Sequence, residues 1–257
     1  MLEADTMVGG EELTGRRLKQ RVGMLLESSD FSSMLRELRN FPARKVINSL
    51  FSFLYHSNDQ MKWHAVTMMG TLVAELAEQD MESARVILRR LMWNLNDESG
   101  GIGWGSAEAM GEILANHKGL ATEYANILIS YIRKDGNFQE NELMQRGVLW
   151  GIARLAQARP KLALDAAAHV MPFLSSPDPA KRGLAVRITA LLRAGEARDA
   201  LLHLRHDESE FSIYLDGSLL RCSVSEMAQW ALEKNRLRHL DRGLKGHRDR
   251  GMFSVPW

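Results

Sequence analysis

The stretch NLNDESGGIGWGSAEAMG (residues 94–111) runs from the end of one apolar helix, through a glycine-rich loop, into the start of a second helix. Its last eight residues, WGSAEAMG (104–111), match WHAVTMMG (63–70) at the first and at the last two positions. Both octets end on a glycine inside a predicted helix, where glycine costs about 1 kcal/mol relative to alanine. We infer that Gly70 and Gly111 occupy the same place in two copies of one repeat, where each lets a neighbouring helix approach closely.

The repeat extends over most of the chain, because apolar residues recur at helical spacing in pairs of predicted helices that polar residues separate. Equivalent positions early in four second helices are Trp63, Trp104, Arg146 and Arg182, which are spaced 41, 42 and 36 residues apart. This spacing is the period of a HEAT-type helical hairpin. The pattern therefore predicts an all-α fold, a right-handed α-solenoid of HEAT or armadillo type with about five antiparallel helix pairs.

The pattern changes after the last predicted helix pair, which covers residues 160–174 and 179–193. A period-two apolar stretch then meets the dipeptide Asp216-Gly217 and a second strand-like run. Asp-Gly between two such runs is the strongest short-range signal for a β-hairpin. We predict one hairpin near residues 211–222 and a short helix that covers it, because a different terminal repeat closes the exposed core of a solenoid.

These patterns divide the chain into four regions. A disordered N-terminus is expected over residues 1–10, and the HEAT-like helical repeat array over residues 11–195. The cap with the β-hairpin follows over residues 196–234. Residues 235–257 hold more arginine and lysine than acidic residues and several glycines, so we expect a basic, flexible tail.

The composition of the chain limits which compartment and which classes of partner are expected. The net charge is +1, so no strong overall field attracts nucleic acid or anionic lipid, and nucleic acid is not the expected partner. The single cysteine, Cys222, cannot form an internal disulfide, which is typical of a reducing cytoplasm. No apolar run approaches the roughly 18 residues that cross a bilayer, so we expect no membrane insertion and a cytoplasmic protein.

The repeat octets also carry a family resemblance. WHAVTMMG, WGSAEAMG, RGVLWGIA and RGLAVRIT resemble the bacterial HEAT-like repeat family that is named after phycobilisome lyases. Over residues 40–195, segments such as WNLNDESGGIGWGSAEAMGEILA and LMQRGVLWGIARLAQARP resemble an uncharacterised set of such proteins from anaerobic bacteria. The resemblance implies the fold and a structural pairing of an aspartate in the turn with an arginine of the second helix, which Asp178 and Arg182 fit. It implies no activity for any residue.

The candidate binding residues surround the glycine-rich loop and the starts of the second helices. The loop from Asp97 to Gly105 is the longest such interruption of the array, and loops on a rigid scaffold often carry function. The candidate partner-binding residues are Trp63, Asp97, Glu98, Trp104, Glu108 and Arg146. For Arg146 a structural role like that of Arg182 is an alternative.

Tryptophans allow two interpretations. A groove lined with them can stack bases or hold a flat ligand, whereas a solenoid core filled with large residues has the same sequence pattern. We expect Trp93, Trp150 and Trp230 to pack in the core. Trp63 and Trp104 begin second helices, where part of each ring can reach the surface.

No catalytic or metal-binding pattern emerges from the remaining polar residues. The glycine-rich loop lacks the lysine and the serine or threonine of a P-loop, and its acidic pair repels anions. His203, His206, Asp207 and Glu210 do not form an H-E-x-x-H motif, so they indicate a solvated helix end. Cys222 lies in a predicted strand without an adjacent histidine and is expected to be inert. We predict no catalytic residue, no metal and no cofactor.

The sequence thus favours a non-enzymatic binding or scaffold protein that docks a protein partner on its helical-repeat surface. The alternative is a DNA-binding enzyme similar to the HEAT-like DNA-alkylation-repair glycosylases, against which stand the glutamates among the arginines of the second helices. A bilin-lyase-like role is a third possibility that only the family name implies.

Overall fold

The computed structural model describes residues 7–8, 11–12, 14–28, 30–97 and 103–243, with side chains described from residue 14 to residue 234 of these ranges. Glu98, residues 99–102 and the tail beyond residue 243 lie outside them. The chain forms two compact units, residues 1–163 and residues 164–257.

In the first unit, two short antiparallel strands, β1 (Met7–Val8) and β2 (Glu11–Glu12), precede a succession of helices. The helices are α1 (Gly15–Leu26), α2 (Phe31–Leu38), α3 (Ala43–Leu50), α4 (Asp59–Gln79), α5 (Met81–Leu95), α6 (Ser106–Asn116), α7 (Lys118–Ser130) and α8 (Glu142–Ala158). Strand β1 lies within residues 1–10, for which the sequence predicted disorder, and β2 lies just after them. The helices α3/α4, α5/α6 and α7/α8 form three consecutive hairpins.

The second helices of these hairpins lie side by side. Helix α6 packs between α4 and α8, while α5 and α7 cover it from the layer of first helices. As a result every residue of α6 from Ser106 to Ala115 is buried. The predicted repeat of first and second helices is confirmed over this part of the chain.

Side-chain caps explain where two of the second helices, α4 and α8, begin. The Asn58 carboxamide accepts a hydrogen bond of 3.1 Å from the Met61 N–H at the start of α4. The Asn141 carboxamide accepts bonds from the Leu143 and Met144 N–H groups of α8. Capping satisfies backbone N–H groups that have no partner within the helix. The polar breaks that the sequence showed are therefore helix starts.

Glycine permits the close contact between α6 and α8. A Cβ atom on Gly111 would overlap the backbone of Gly151 and lie 2.6 Å from the Gly151 carbonyl oxygen. A Cβ atom on Gly70 would overlap the Glu112 side chain of α6. The predicted tertiary reason for Gly70 and Gly111 is confirmed. The residue that packs on Gly111 is Gly151, the sixth residue of the octet RGVLWGIA.

The second unit contains α9 (Ala166–Val170), α10 (Pro179–Leu192), α11 (Arg198–Leu204), β3 (Glu210–Leu215), β4 (Ser218–Ser223) and α12 (Val224–Gly243). Strands β3 and β4 pair antiparallel, with Phe211 opposite Cys222. The turn residues Asp216 and Gly217 have φ angles of 46° and 86°, a left-handed conformation that Asp-Gly adopts readily. The predicted hairpin is confirmed, and α12 packs on α10 and α11.

Two predicted boundaries differ from the structure. The helix predicted over residues 160–174 is instead two 3-10 turns, Pro160–Leu162 and Met171–Ser175, with α9 between them. Pro172 lacks the N–H group that a continuous helix needs at this point. Helix α12 continues to Gly243, so its last turns occupy the start of the segment that was predicted to be a flexible tail.

Candidate functional site

Three loops meet at one end of the helix layer of the first unit. They join first to second helices in consecutive hairpins, and their described parts are residues 54–58, residues 96–97 with 103–105, and residues 131–141. Gly105 has a φ of 77° and packs so closely on Leu54 that an added Cβ would lie 2.9 Å from the Leu54 carbonyl carbon. Only glycine adopts this conformation readily and also leaves that space. The first two loops are therefore in contact.

The third loop joins the other two through polar and apolar contacts. The Gln139 carboxamide donates a hydrogen bond of 2.9 Å to the Leu95 carbonyl at the end of α5. A Cβ atom on Gly103 would overlap the Met144 side chain and lie 2.7 Å from the Asn94 carbonyl oxygen. The described parts of the three loops thus form one continuous edge.

Large apolar side chains are exposed along this edge. Tyr55 is 47% exposed, Trp104 is 43% exposed and Leu143 is 51% exposed, one from each of the three hairpins. Asp97 lies partly exposed on the same loop as Trp104. We call Tyr55, Asp97, Trp104 and Leu143 the loop-edge surface. A single exposed apolar residue is ordinary, whereas several on adjoining loops are typical of an interaction site.

The interior of the layer holds two other predicted site residues. The Trp63 ring of α4 contacts the Trp150 ring of α8, with ring centroids 4.7 Å apart. The carboxylate of the buried Glu108 accepts a bond of 2.9 Å from the Lys62 ammonium group, and a Cβ on Gly147 would overlap it. Both side chains are buried, so we do not include Trp63 and Glu108 in the surface that a partner can reach.

A second carboxylate lies one turn further along α6. The Arg154 guanidinium of α8 donates bonds of 2.7 and 3.2 Å to the two oxygens of the buried Glu112. A bidentate arginine–carboxylate pair is geometrically specific. It also neutralises a charge that would be costly to bury alone. Together with Lys62 and Glu108, this pair indicates that the acidic residues of α6 hold neighbouring helices in register.

The six predicted site residues are therefore divided between surface and interior. Trp104 and Arg146 are exposed, Asp97 is partly exposed, and Glu98 lies outside the described residues. Sequence reasoning missed Tyr55 and Leu143, because an isolated apolar residue beside a helix cap has the pattern of a core residue. It also placed Trp93 in the core, which was wrong, since this residue on the last turn of α5 is 74% exposed.

The polar cluster near the hairpin has a structural role. The Arg182 guanidinium donates a bond of 2.7 Å to the Asp207 carboxylate and further bonds to the Ser176 and Pro177 carbonyls. Asp178 caps α10 by accepting from the Ala180 N–H. Burial opposes ionisation of Asp207, but hydrogen bonds from Ser209 and Arg182 outweigh it and lower the pKa of this carboxyl group.

Within the described ranges, no three histidine, cysteine, aspartate or glutamate side chains converge as a metal-binding group. The same part of the chain contains no helix with the length and apolar character that crossing a bilayer requires. Burial raises the pKa of the Cys222 thiol to about 11, so the group is protonated at neutral pH.

Comparison with known proteins supports the fold. No protein-family model matches the chain. An uncharacterized protein of Archaeoglobus fulgidus is 28% identical over 110 residues, which are 43% of this chain and 54% of that protein. The chain thus matches about half the length of this relative, and its resemblance to the bacterial set remains a prediction.

Several solved structures are similar over most of the chain. An engineered protein from the Northeast Structural Genomics Consortium has a TM-score of 0.54 at 15% identity, over 87% of this chain and 92% of that one. A designed armadillo repeat protein has a TM-score of 0.51 at 16% identity, over 86% and 94%. Another, in complex with the peptide (KR)4, has a TM-score of 0.53 at 15% identity, over 84% of this chain and 91% of that one. The chain has a helical-repeat fold of the HEAT/armadillo class.

Proposed function

We propose that this chain is a non-enzymatic binding protein that docks a protein partner on the loop-edge surface. The observation that carries the proposal is the exposure of Tyr55, Trp104 and Leu143 at the same end of three consecutive hairpins. Tryptophan and tyrosine are enriched among the residues that contribute most to binding at protein interfaces. The loops that hold them are fixed by close packing at Gly103 and Gly105, so the surface is preformed.

Two further points support this proposal. A designed armadillo repeat protein of similar fold has been solved in complex with a peptide, so a repeat protein of this class can bind a peptide. Asp59, Asp97, Glu140 and Glu142 lie close in sequence to the apolar row and are exposed or partly exposed, so acidic residues outnumber the exposed Arg146 there. A partner with apolar anchors and a basic rim fits this arrangement. We also propose the cytoplasm as the compartment and a right-handed solenoid of about five helix pairs as the full architecture.

Trp104→Ala combined with Asp97→Ala is expected to weaken binding of a partner, recovered from native lysate with the full chain, by roughly 30-fold. This is the effect of losing one interface residue worth about 2 kcal/mol. Salt should weaken the complex only modestly, because one aspartate and its neighbours make few charge contacts. Affinity of the purified partner is measured by titration calorimetry, and circular dichroism verifies that the variant is folded.

Val86→Ala is the matched control, because Val86 is also exposed but lies more than two turns before the end of α5. It should bind as the natural chain does. If the double variant keeps full affinity and removal of residues 235–257 abolishes binding, the basic tail is the interaction element and the loop-edge proposal fails.

A further inference from the structure

A pocket of about 230 Å³ opens in the second unit between α10, β4 and α12. Its lining includes Arg187, Cys222, Met227 and Trp230. Drug-sized ligands occupy sites of roughly 300–1,000 Å³, so this pocket has room for a smaller molecule. It belongs to a different unit from the loop-edge surface, and the inference drawn from it does not depend on the proposed function.

Arg187, a cation that lines the pocket, is unusually buried for an arginine. Arg187 is only 3% exposed, and its guanidinium carbon lies 5.4 Å from the centre of the Trp230 ring. Arginine is rarely buried to this extent. A guanidinium group carries five N–H donors, so an arginine that already contacts protein groups can also bind an anion at the pocket.

Apolar side chains form part of the pocket wall, which also includes Gln229. Met227 and Trp230 are three residues apart on α12 and so share one face of it. Cys222 of β4 also lines the pocket. Cys222 and Met227 are both buried, and the Trp230 ring is partly exposed, so its indole provides a flat surface that a ligand can reach. A buried cation beside an aromatic wall suits a planar molecule with one negative charge.

Acidic residues also line the pocket, but they lie at its rim. Glu226 and Glu233 are exposed on α12, where water screens their charges. One Glu226 oxygen accepts a bond of 2.7 Å from the Ser223 N–H, which holds this carboxylate at the start of the helix. The Lys234 ammonium group lies 4.6 Å from the Trp230 ring and offsets one of these two negative charges. Arg187 is the buried cation among the residues that line the pocket.

We propose that this pocket binds a small aromatic carboxylate, with the carboxylate on the Arg187 guanidinium and the ring against Trp230 and Met227. Charge-assisted hydrogen bonds from arginine favour a carboxylate over a neutral amide of the same shape. The apolar walls favour an aromatic body over a small inorganic anion.

Cys222 provides a built-in reporter, because it is the single cysteine of the chain and lines the pocket. The full chain is alkylated at alkaline pH with iodoacetate or iodoacetamide, and mass spectrometry gives both rates. A peptide of the sequence LLRCSVS is the reference. The ratio of the alkylation rate with iodoacetate to the rate with iodoacetamide is expected to be roughly tenfold higher for the chain than for the peptide. This is the preference that one charge-assisted hydrogen bond provides. Benzoate should slow the alkylation with saturation, whereas benzamide and benzylamine should not.

Arg187→Gln should remove both the preference for iodoacetate and the protection by benzoate, while Arg198→Gln, at an exposed position of α11, should keep both. Trp230→Leu should weaken protection by benzoate and retain the preference for iodoacetate. If Arg187→Gln does not fold by circular dichroism, the natural chain and Trp230→Leu still decide the question. Equal protection by benzoate and benzamide, or a rate ratio equal to that of the peptide, would overturn the proposal.

Discussion

Replacing Gly111 with leucine is expected to lower the free energy of unfolding of the chain by about 3 kcal/mol or more. Overpacking a close site typically costs about 1–3 kcal/mol. The cost at Gly111 is expected at the upper end of this range or above it, because the neighbour is the Gly151 backbone. A backbone cannot rotate away as a flexible side chain can. The helices α6 and α8 must separate, and separation weakens the contacts that bury α6. Urea denaturation followed by circular dichroism measures the loss.

Gly15→Leu is the matched control. Gly15 starts α1, and a Cβ atom there would meet no atom within 4 Å. Leucine has a higher helix propensity than glycine. The free energy of unfolding of this variant should therefore be unchanged or higher by roughly a few tenths of a kcal/mol. Equal stability of the Gly111 and Gly15 variants would contradict the close contact between α6 and α8, and with it the register of the repeat.

Trp150→Ala is the second change with a large expected effect, a loss of about 3–5 kcal/mol that is typical of a buried tryptophan. The Trp150 ring is buried and contacts the Trp63 ring of α4, so its removal leaves a cavity between these helices. Trp93→Ala should change the free energy of unfolding by less than about 0.5 kcal/mol, because the Trp93 side chain is mostly in solvent.

The pair is informative because both variants remove the same side chain from a helix of the same unit. Differential scanning calorimetry of the two proteins gives their melting temperatures under identical conditions. The expected order is a much lower melting temperature for Trp150→Ala and an unchanged one for Trp93→Ala. The reverse order would mean that the helical faces of α5 and α8 are assigned incorrectly.

Features that depend on neighbours along the chain were predictable from the sequence. Gly70 and Gly111 recur at the same place in two octets, and each costs helix stability unless another helix packs on it, so the repeat could be aligned. Asp216-Gly217 predicted the hairpin because few other dipeptides adopt its backbone angles. Asn58, which lies in a polar break of the sequence, caps the helix that follows it.

Features that depend on which helices become neighbours were not predictable in the same way. Trp93 and Trp150 both have helical spacing to apolar residues, and only the packing of the helices decides which ring is covered. Tyr55 and Leu143 are 88 residues apart in the sequence, and they become part of one edge because three consecutive hairpins align their loops. Glu108 has the pattern of a solvated glutamate, yet Lys62 from another hairpin stabilises it in the interior.

Photo-crosslinking from single positions shows whether a bound partner lies against the loop-edge surface. A photoreactive phenylalanine analogue replaces Trp104, Leu143 or Val86 in otherwise natural full-length chains, and each is irradiated in complex with the purified partner. We expect crosslinks to the partner from positions 104 and 143 and none from position 86. Crosslinks from position 86 alone, with none from positions 104 and 143, would contradict the loop-edge proposal.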